Sequence, residues 1–191
     1  MKTVVALLGF ALLAGCVSLG PKAPRALLTL TPTETTPAGT TRTADSGDTI
    51  TVLTPVVPAA IATARIPVYD GRSELAYVKD AAWNEPPARL FQRLLSETVA
   101  VRTGRVVLDF RQSSLDPGTR VSGQLVRFGI DPVAMQAVVV YDGILQRARG
   151  GIATRRFEAR APIAAIEGRA AGSALNSAAN DIAGQVADWV K

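Results

Sequence analysis

RVSGQLVRFGI (residues 120–130), MQAVVVYDGILQ (135–146) and GIATRRFEARA (151–161) are three long extended segments in succession. Asp131-Pro132 separates the first two and Arg149-Gly150-Gly151 the last two. Strand-forming runs this close together, divided by turn formers, predict an antiparallel meander. Asp142-Gly143 inside the second segment reads either as a hairpin turn or as a bulge within one long strand. The bulge is favoured, because a turn would leave Ile144 to Arg149 as an isolated stub.

Toward the C-terminus, Ala171, Leu175, Ala178, Ile182, Val186 and Trp189 recur with a period near 3.6 and predict a helix from about Gly168 to Val190. Its apolar face is mostly alanine, so it can lie close to a sheet. Toward the N-terminus, Asp116-Pro117-Gly118 is a turn and Arg105 to Phe110 a strand. Before them Leu90, Phe91, Leu94, Leu95, Thr98 and Val101 form an apolar stripe over Pro87 to Arg102. Pro86 and Pro87 suit the first turn of that helix, Asn84 suits its N-cap, and Gly104 suits its C′ position. Lys79 to Asn84, with Trp83, reads as a loop. Ser73 to Val78, an interrupted stretch from Ile61 to Tyr69, and Thr49 to Thr54 read as strands, with Asp70-Gly71 a turn. Ala26 to Leu30 is a weaker strand, and the Thr-, Pro- and Gly-rich run at 31–48 predicts a flexible loop. Strands, helix, strands, helix in that order predict a two-layer α/β domain over 26–191. It has a mixed, mostly antiparallel sheet and two main helices on one face.

The chain opens with Met1-Lys2, an apolar run to Leu13, the small residues Ala14 and Gly15, and then Cys16. A positive start, a short apolar core and small residues before a cut describe a secretory signal over 1–15. The run is too short for a spanning helix, which needs about 20 apolar residues. Leu13-Ala14-Gly15-Cys16 resembles the lipobox of bacterial lipoproteins, which implies cleavage before Cys16 and acylation of it by several chains, with 16–25 as the lipidated tether. Each buried CH₂ contributes roughly 0.8 kcal/mol, so several chains hold stably where one holds marginally. Cys16 is the single cysteine, so disulfides and cysteine-ligated metals are excluded. By the sorting rule of lipoproteins generally, Val17 in place of Asp favours the outer membrane.

The chain has no histidine, which removes the commonest general base and the usual zinc ligand. A net charge of +5 would raise nucleic-acid binding in a cytosolic protein, but the export signal outranks it. The arginines are scattered, with Arg155-Arg156 their one dense pair. Trp83, beside a helix start, is a candidate partner contact or else a core residue; burial is the commoner fate of tryptophan. Tyr69, Tyr77 and Tyr141 read as packing residues. Asp70, Glu74, Asp80 and Glu85 are close in sequence and read as solvated loop charges. Ser173 lies in Ala-Gly-Ser-Ala, which is not a nucleophile elbow, and no phosphate-cradling glycine motif occurs. No catalytic residue, metal site or cofactor is expected.

The lipobox, Ala26-Leu27-Leu28-Thr29-Leu30, Glu74-Leu75-Ala76-Tyr77 and Trp83-Asn84-Glu85-Pro86-Pro87 ahead of a Leu-rich helix are joined by further fragments. These are Gly123 to Phe128, Ala137 to Asp142, Arg156-Phe157-Glu158-Ala159 and the closing Ala187-Asp188-Trp189-Val190. In this order they resemble the ABC-type transport auxiliary lipoproteins, the PqiC-like family, over about residues 26–190. The resemblance implies a non-enzymatic periplasmic domain tethered to the outer membrane. Its partners would be an MCE-domain protein with its ABC permease and ATPase, with homo-oligomers as a further assembly. The alternative is a structural envelope lipoprotein in outer-membrane or lipopolysaccharide assembly. A hydrolase comes last, since no nucleophile motif is present.

Overall fold

The structure is a computed structural model that describes residues 26–71, 73–109, 111–112 and 118–191. Its elements in chain order are β1 (Ala26–Leu28), β2 (Ile50–Val52), β3 (Pro67–Asp70), β4 (Glu74–Tyr77), β5 (Ala81–Trp83), α1 (Pro87–Thr103), β6 (Val107–Leu108), β7 (Thr119–Asp131), β8 (Gln136–Gln146), β9 (Ile152–Pro162) and α2 (Gly168–Val190). The expected signal peptide at 1–15, the lipobox-like motif with Cys16 and the expected tether to residue 25 lie outside the described residues. So do Phe110 and the Asp116-Pro117 part of the expected turn.

The meander is the centre of the sheet. β7 pairs antiparallel with β8, and β8 with β9, the latter in unbroken register from Gln136↔Pro162 to Gln146↔Ile152. Period-two alternation shows in β9, where Phe157, Ala159 and Ala161 are buried and Arg156, Glu158 and Arg160 are exposed. Asp131 builds the first turn, its Oδ1 accepting the N–H groups of Val133 (3.1 Å) and Ala134 (3.0 Å). Gly150 and Gly151, with φ of 99° and 84°, build the second.

At Asp142-Gly143 the chain neither turns nor bulges: Asp142 faces Gln124 and Gly143 faces Gly123 in regular register. The irregularity is in the neighbouring strand, between Leu125 and Arg127. The Asp-Gly pair is there for room. A Cβ on Gly143 would meet the rings of Phe157, Trp189 and Tyr141 at 3.1–3.2 Å, and one on Gly123 would meet the Asp142 carbonyl oxygen at 2.0 Å.

The long β7 is flanked on its other side by short strands. Its N-terminal part pairs with β2, which pairs in turn with β6, both parallel. Its C-terminal end meets β3, which forms an antiparallel hairpin with β4. The seven-stranded sheet is therefore mixed, with antiparallel pairing dominant by length. β1 and β5 form a separate two-stranded parallel ladder. Trp83 thus belongs to a strand, not a loop. The backbone N–H of Asn84 continues that ladder by donating to Leu28 O (2.8 Å). Asn84 is consequently not the N-cap of α1. Pro86 occupies that position, with Pro87 as the first helical residue, where a missing N–H costs no helical bond.

Both helices pack on one face of the sheet, as expected for two layers. α1 buries Leu90, Phe91, Leu94, Leu95 and Thr98, with Val99 taking the place expected for Val101. Gly104 ends it at φ 68°, its N–H returning to Ala100 O. α2 buries Ala171, Leu175, Ala178, Ile182 and Val186, and its small residues admit close approach. At Gly184 an added Cβ would meet the Arg102 guanidinium at 2.8 Å. Arg102 crosses there from α1 to Asp188 (3.6 Å) and Glu34 (3.2 Å). The apolar side chains of both layers form one cluster. No helix among the described residues is long and apolar enough to cross a membrane.

Residues 31–48 have no regular structure, but they lie as a strap across both helices. Thr31 N and Thr33 N donate to Oδ1 of Asn176 (2.7 Å) and Asn180 (2.8 Å), and Thr36 N donates to Glu97. The stretch read as a flexible loop is therefore fastened over its first half.

Candidate functional site

On α1, Gln92, Arg93, Ser96, Glu97 and Ala100 lie three, four, seven, eight and eleven residues after Arg89. They share the face turned away from the main Leu/Phe stripe. That face forms one wall of a groove of ≈850 Å³. The opposite wall is the sheet margin, with Val52 at the end of β2, Thr54 after it, and Val106, Val107 and Leu108 around β6. Gln92 ties the walls together at the base, its Nε2 donating to Val52 O and to Ser96 Oγ (3.2 Å each). Thr36 and Arg42 of the strap and Asp109, Arg111 and Gln112 of the turn after β6 complete its lining.

The charges of this groove are unequal in their partners. Glu97 accepts the Thr36 N–H, and Asp109 Oδ1 accepts the N–H groups of Arg111 (2.8 Å) and Gln112 (3.0 Å). Both carboxylates are thus engaged by backbone donors. Among the guanidinium groups, Arg93 pairs with Glu85 at 2.8 Å, and that hydrogen bond holds the Glu85 carboxyl below its usual range. Arg42 donates to the Thr36 hydroxyl (3.2 and 3.3 Å). Among the described residues, Arg42, Arg89 and Arg111 have no carboxylate within ion-pair distance.

A second hollow of ≈770 Å³ lies among Leu53, Val56, Gly123, Gly143, Ile144 and Thr154. Val56 and Ile144 are exposed there, and the bidentate pair of Arg156 on Asp142 (2.6 and 2.7 Å) forms part of its lining. The Arg156 hydrogen bond lowers the Asp142 pKa.

Trp83, the candidate contact, is a core residue. It is 1% exposed, and its ring packs against Phe128 with centroids 5.5 Å apart. A surface role is closed to it. Its Nε1 is buried without a hydrogen-bond partner among the described residues. Tyr141 is buried between Phe91 and Phe157 and donates to Ser122 O (2.7 Å); burial pushes its hydroxyl pKa up. Asp70 and Glu74 face each other across the β3–β4 hairpin, both exposed. Among the described residues no cluster of three or more metal-ligating side chains forms.

The groove was not legible as a site in the sequence. Its arginines come from the strap, two turns of α1 and the turn after β6. Only the i, i+4, i+8 spacing of Arg89, Arg93 and Glu97 is visible locally, and that is the ordinary polar face of a helix.

Two solved structures share the fold. A crystal structure of an uncharacterized protein superposes with a TM-score of 0.67 at 12% identity, covering 79% of this chain and 97% of the other. The crystal structure of protein XCC0632 from Xanthomonas campestris, of the DUF330 family, superposes with a TM-score of 0.63 at 17% identity, covering 88% and 92%. At such identities the likeness concerns the fold alone. No curated protein matches the sequence at a significant level. The family model for the ABC-type transport auxiliary lipoprotein component, however, matches residues 28–187, from the ladder of β1 to the last turn of α2. With the seven-stranded sheet, α1, the strap and all but the last three residues of α2 inside that match, the chain belongs to the ABC-type transport auxiliary lipoprotein family and is an accessory, transport-associated component.

Proposed function

We propose that the protein is an exported lipoprotein anchored through acylated Cys16 to the periplasmic face of the outer membrane. There it serves an MCE-type lipid transport system. It docks the MCE-domain protein, whose ABC permease and ATPase supply the energy, and it acts by binding and assembly, self-association included, with no catalytic step. The observation that carries this reading is the family match over residues 28–187. The Leu13-Ala14-Gly15-Cys16 motif supports the anchor, and the absence of histidine from the chain agrees with a non-catalytic role.

The test is affinity purification of the full-length lipoprotein from envelopes solubilised in mild detergent. Co-purification of an MCE-domain protein in stoichiometric amount is expected, together with no turnover of lipids, esters or glycans by the pure protein. A pure preparation that hydrolyses such a substrate, and loses the activity with one carboxylate substitution that leaves it folded, would overturn the reading.

A further inference from the structure

We propose that the groove between α1 and the β2–β6 margin is a binding site for an anionic amphiphile. Its phosphate would be held by Arg42, Arg89 and Arg111, and its apolar part would lie along Val52 and Val106 to Leu108.

Three observations carry this. The first is the imbalance of partners. Both acidic groups of the groove already accept backbone N–H groups, whereas Arg42, Arg89 and Arg111 face no carboxylate among the described residues. Guanidinium groups present planar forks of donors that match phosphate oxygens bidentately. Three of them lining one concavity lower the free energy of a bound anion more than a dispersed surface charge does.

The second is that separate elements supply the lining of one cavity. The strap supplies Arg42, the helix Arg89 and the turn after β6 Arg111, with Thr36, Ser96 and Gln112 as further polar groups. A merely solvated basic face needs no concavity, and these residues surround one of ≈850 Å³. That lies within the usual range for small-molecule sites, about 300–1,000 Å³.

The third is the floor. Val106, Val107 and Leu108 are half-buried and lie beside the buried Val52 and Ala100. A free inorganic anion gains nothing from these side chains, whereas an acyl or other hydrocarbon segment attached to the phosphate does.

The site gives the transport reading a ligand and rests on it only for the setting. The test is separate from partner capture, since a groove variant can lose the ligand and keep the MCE protein. The full-length lipoprotein in non-ionic detergent is titrated calorimetrically with dihexanoyl phosphatidic acid, inorganic phosphate and dihexanoylglycerol. Phosphatidic acid is expected to bind more tightly than either of the others. The double variant Arg89→Gln/Arg111→Gln and the single variant Arg42→Gln are expected to weaken it at least about tenfold, the loss of one or more charge-assisted hydrogen bonds. Arg147→Gln/Arg149→Gln, with the same charge change on the β8–β9 turn, should bind as wild type. Circular dichroism melts check that each variant is folded. Phosphate alone binding as tightly as the lipid would refute the amphiphile and leave a simple anion site. Binding equally reduced by the control pair, or absent in the wild type, would refute the site.

Discussion

Single residues in this fold carry strain, orphaned groups and charge in separable ways. Gly123 has φ 150°, and a Cβ there would overlap the Asp142 carbonyl oxygen, a rigid backbone atom. Gly123→Ala should therefore destabilise by at least about 3 kcal/mol. Gly143→Ala meets only ring edges and should cost about 1–3 kcal/mol. Urea unfolding midpoints would order the two, and the reverse order would contradict the geometry. Trp83 combines a large apolar ring with an unpartnered buried N–H. Trp83→Phe removes that group, whose burial costs about 1–3 kcal/mol, while losing some packing. It should stay within about 1 kcal/mol of wild type, whereas Trp83→Ala should lose about 3–5 kcal/mol. A Phe variant as unstable as the Ala variant would show that the indole N–H has a partner. At Asp131 the Ala134 N–H, then that of Val133 and the nearby Arg127, hold the carboxyl below its ordinary range. A depressed carboxyl pKa stabilises the fold fully above the unfolded value, near 4, and the contribution is lost as pH falls through the folded value. Asp131→Asn keeps the turn acceptor and loses the titration. The urea midpoint of wild type minus that of Asp131→Asn should thus shrink below about pH 4 and stay constant above about pH 5.

At the scale of elements, the strap is the part that joins otherwise separate pieces. Asn180 alone accepts from Thr33 N and Thr33 Oγ1 and donates to Thr31 O and Asn176 O. Asn180→Ala should cost about 0.5–1.5 kcal/mol and raise amide exchange at Thr33 without affecting β8. Unchanged exchange at Thr33 would mean that the strap is held elsewhere. The strap also explains what a sequence can and cannot convey. α1, α2 and β7 to β9 repeat their apolar residues at periods of 3.6 and 2 over many residues, so their existence and buried faces were readable. β1 and β5 are three residues each, and pair parallel across more than fifty intervening residues. The alternation over Ala26 to Leu30 is enough to suggest β1 as a weak strand, but Ala81 to Trp83 has too few repeats to show a period, so Trp83 reads as part of a loop. The same holds for Asn84, which resembles a capping residue locally and is claimed by a ladder partner far away. For 31–48 the composition correctly announced irregular backbone, but its fastening depends on Asn176, Asn180 and Glu97, which only the folded chain brings near. The Asp142-Gly143 pair misled for a different reason: its glycine serves three aromatic rings, not a backbone irregularity.

For the whole molecule, the single apolar cluster shared by both layers predicts one cooperative unfolding transition. Trp83 and Trp189 report on different places, the β1–β5 ladder with Phe128 and the Phe157 ring beneath α2. Fluorescence of Trp83→Phe and Trp189→Phe, each leaving one reporter, should follow the same transition as far-ultraviolet circular dichroism once variant stability is allowed for. Separated transitions would divide the fold into independent units. For the proposed anchor, Cys16→Ser should leave the protein out of the membrane fraction; equal palmitate labelling of variant and wild type would remove the lipid from the proposal. The placement of β1 has a consequence in time. Its Leu28 side chain sits where a Cβ on Gly172 would be, at 2.9 Å, and the strap behind it is seated on Asn176 and Asn180. Among the described residues, the first strand thus finds its resting place on the last helix. A chain growing from its N-terminus cannot close this circuit until α2 has been synthesised, and such long-range closure is slow. Under the proposed export, in which the chain would be threaded through a membrane before it folds, that delay would keep the segment around β1 open during passage.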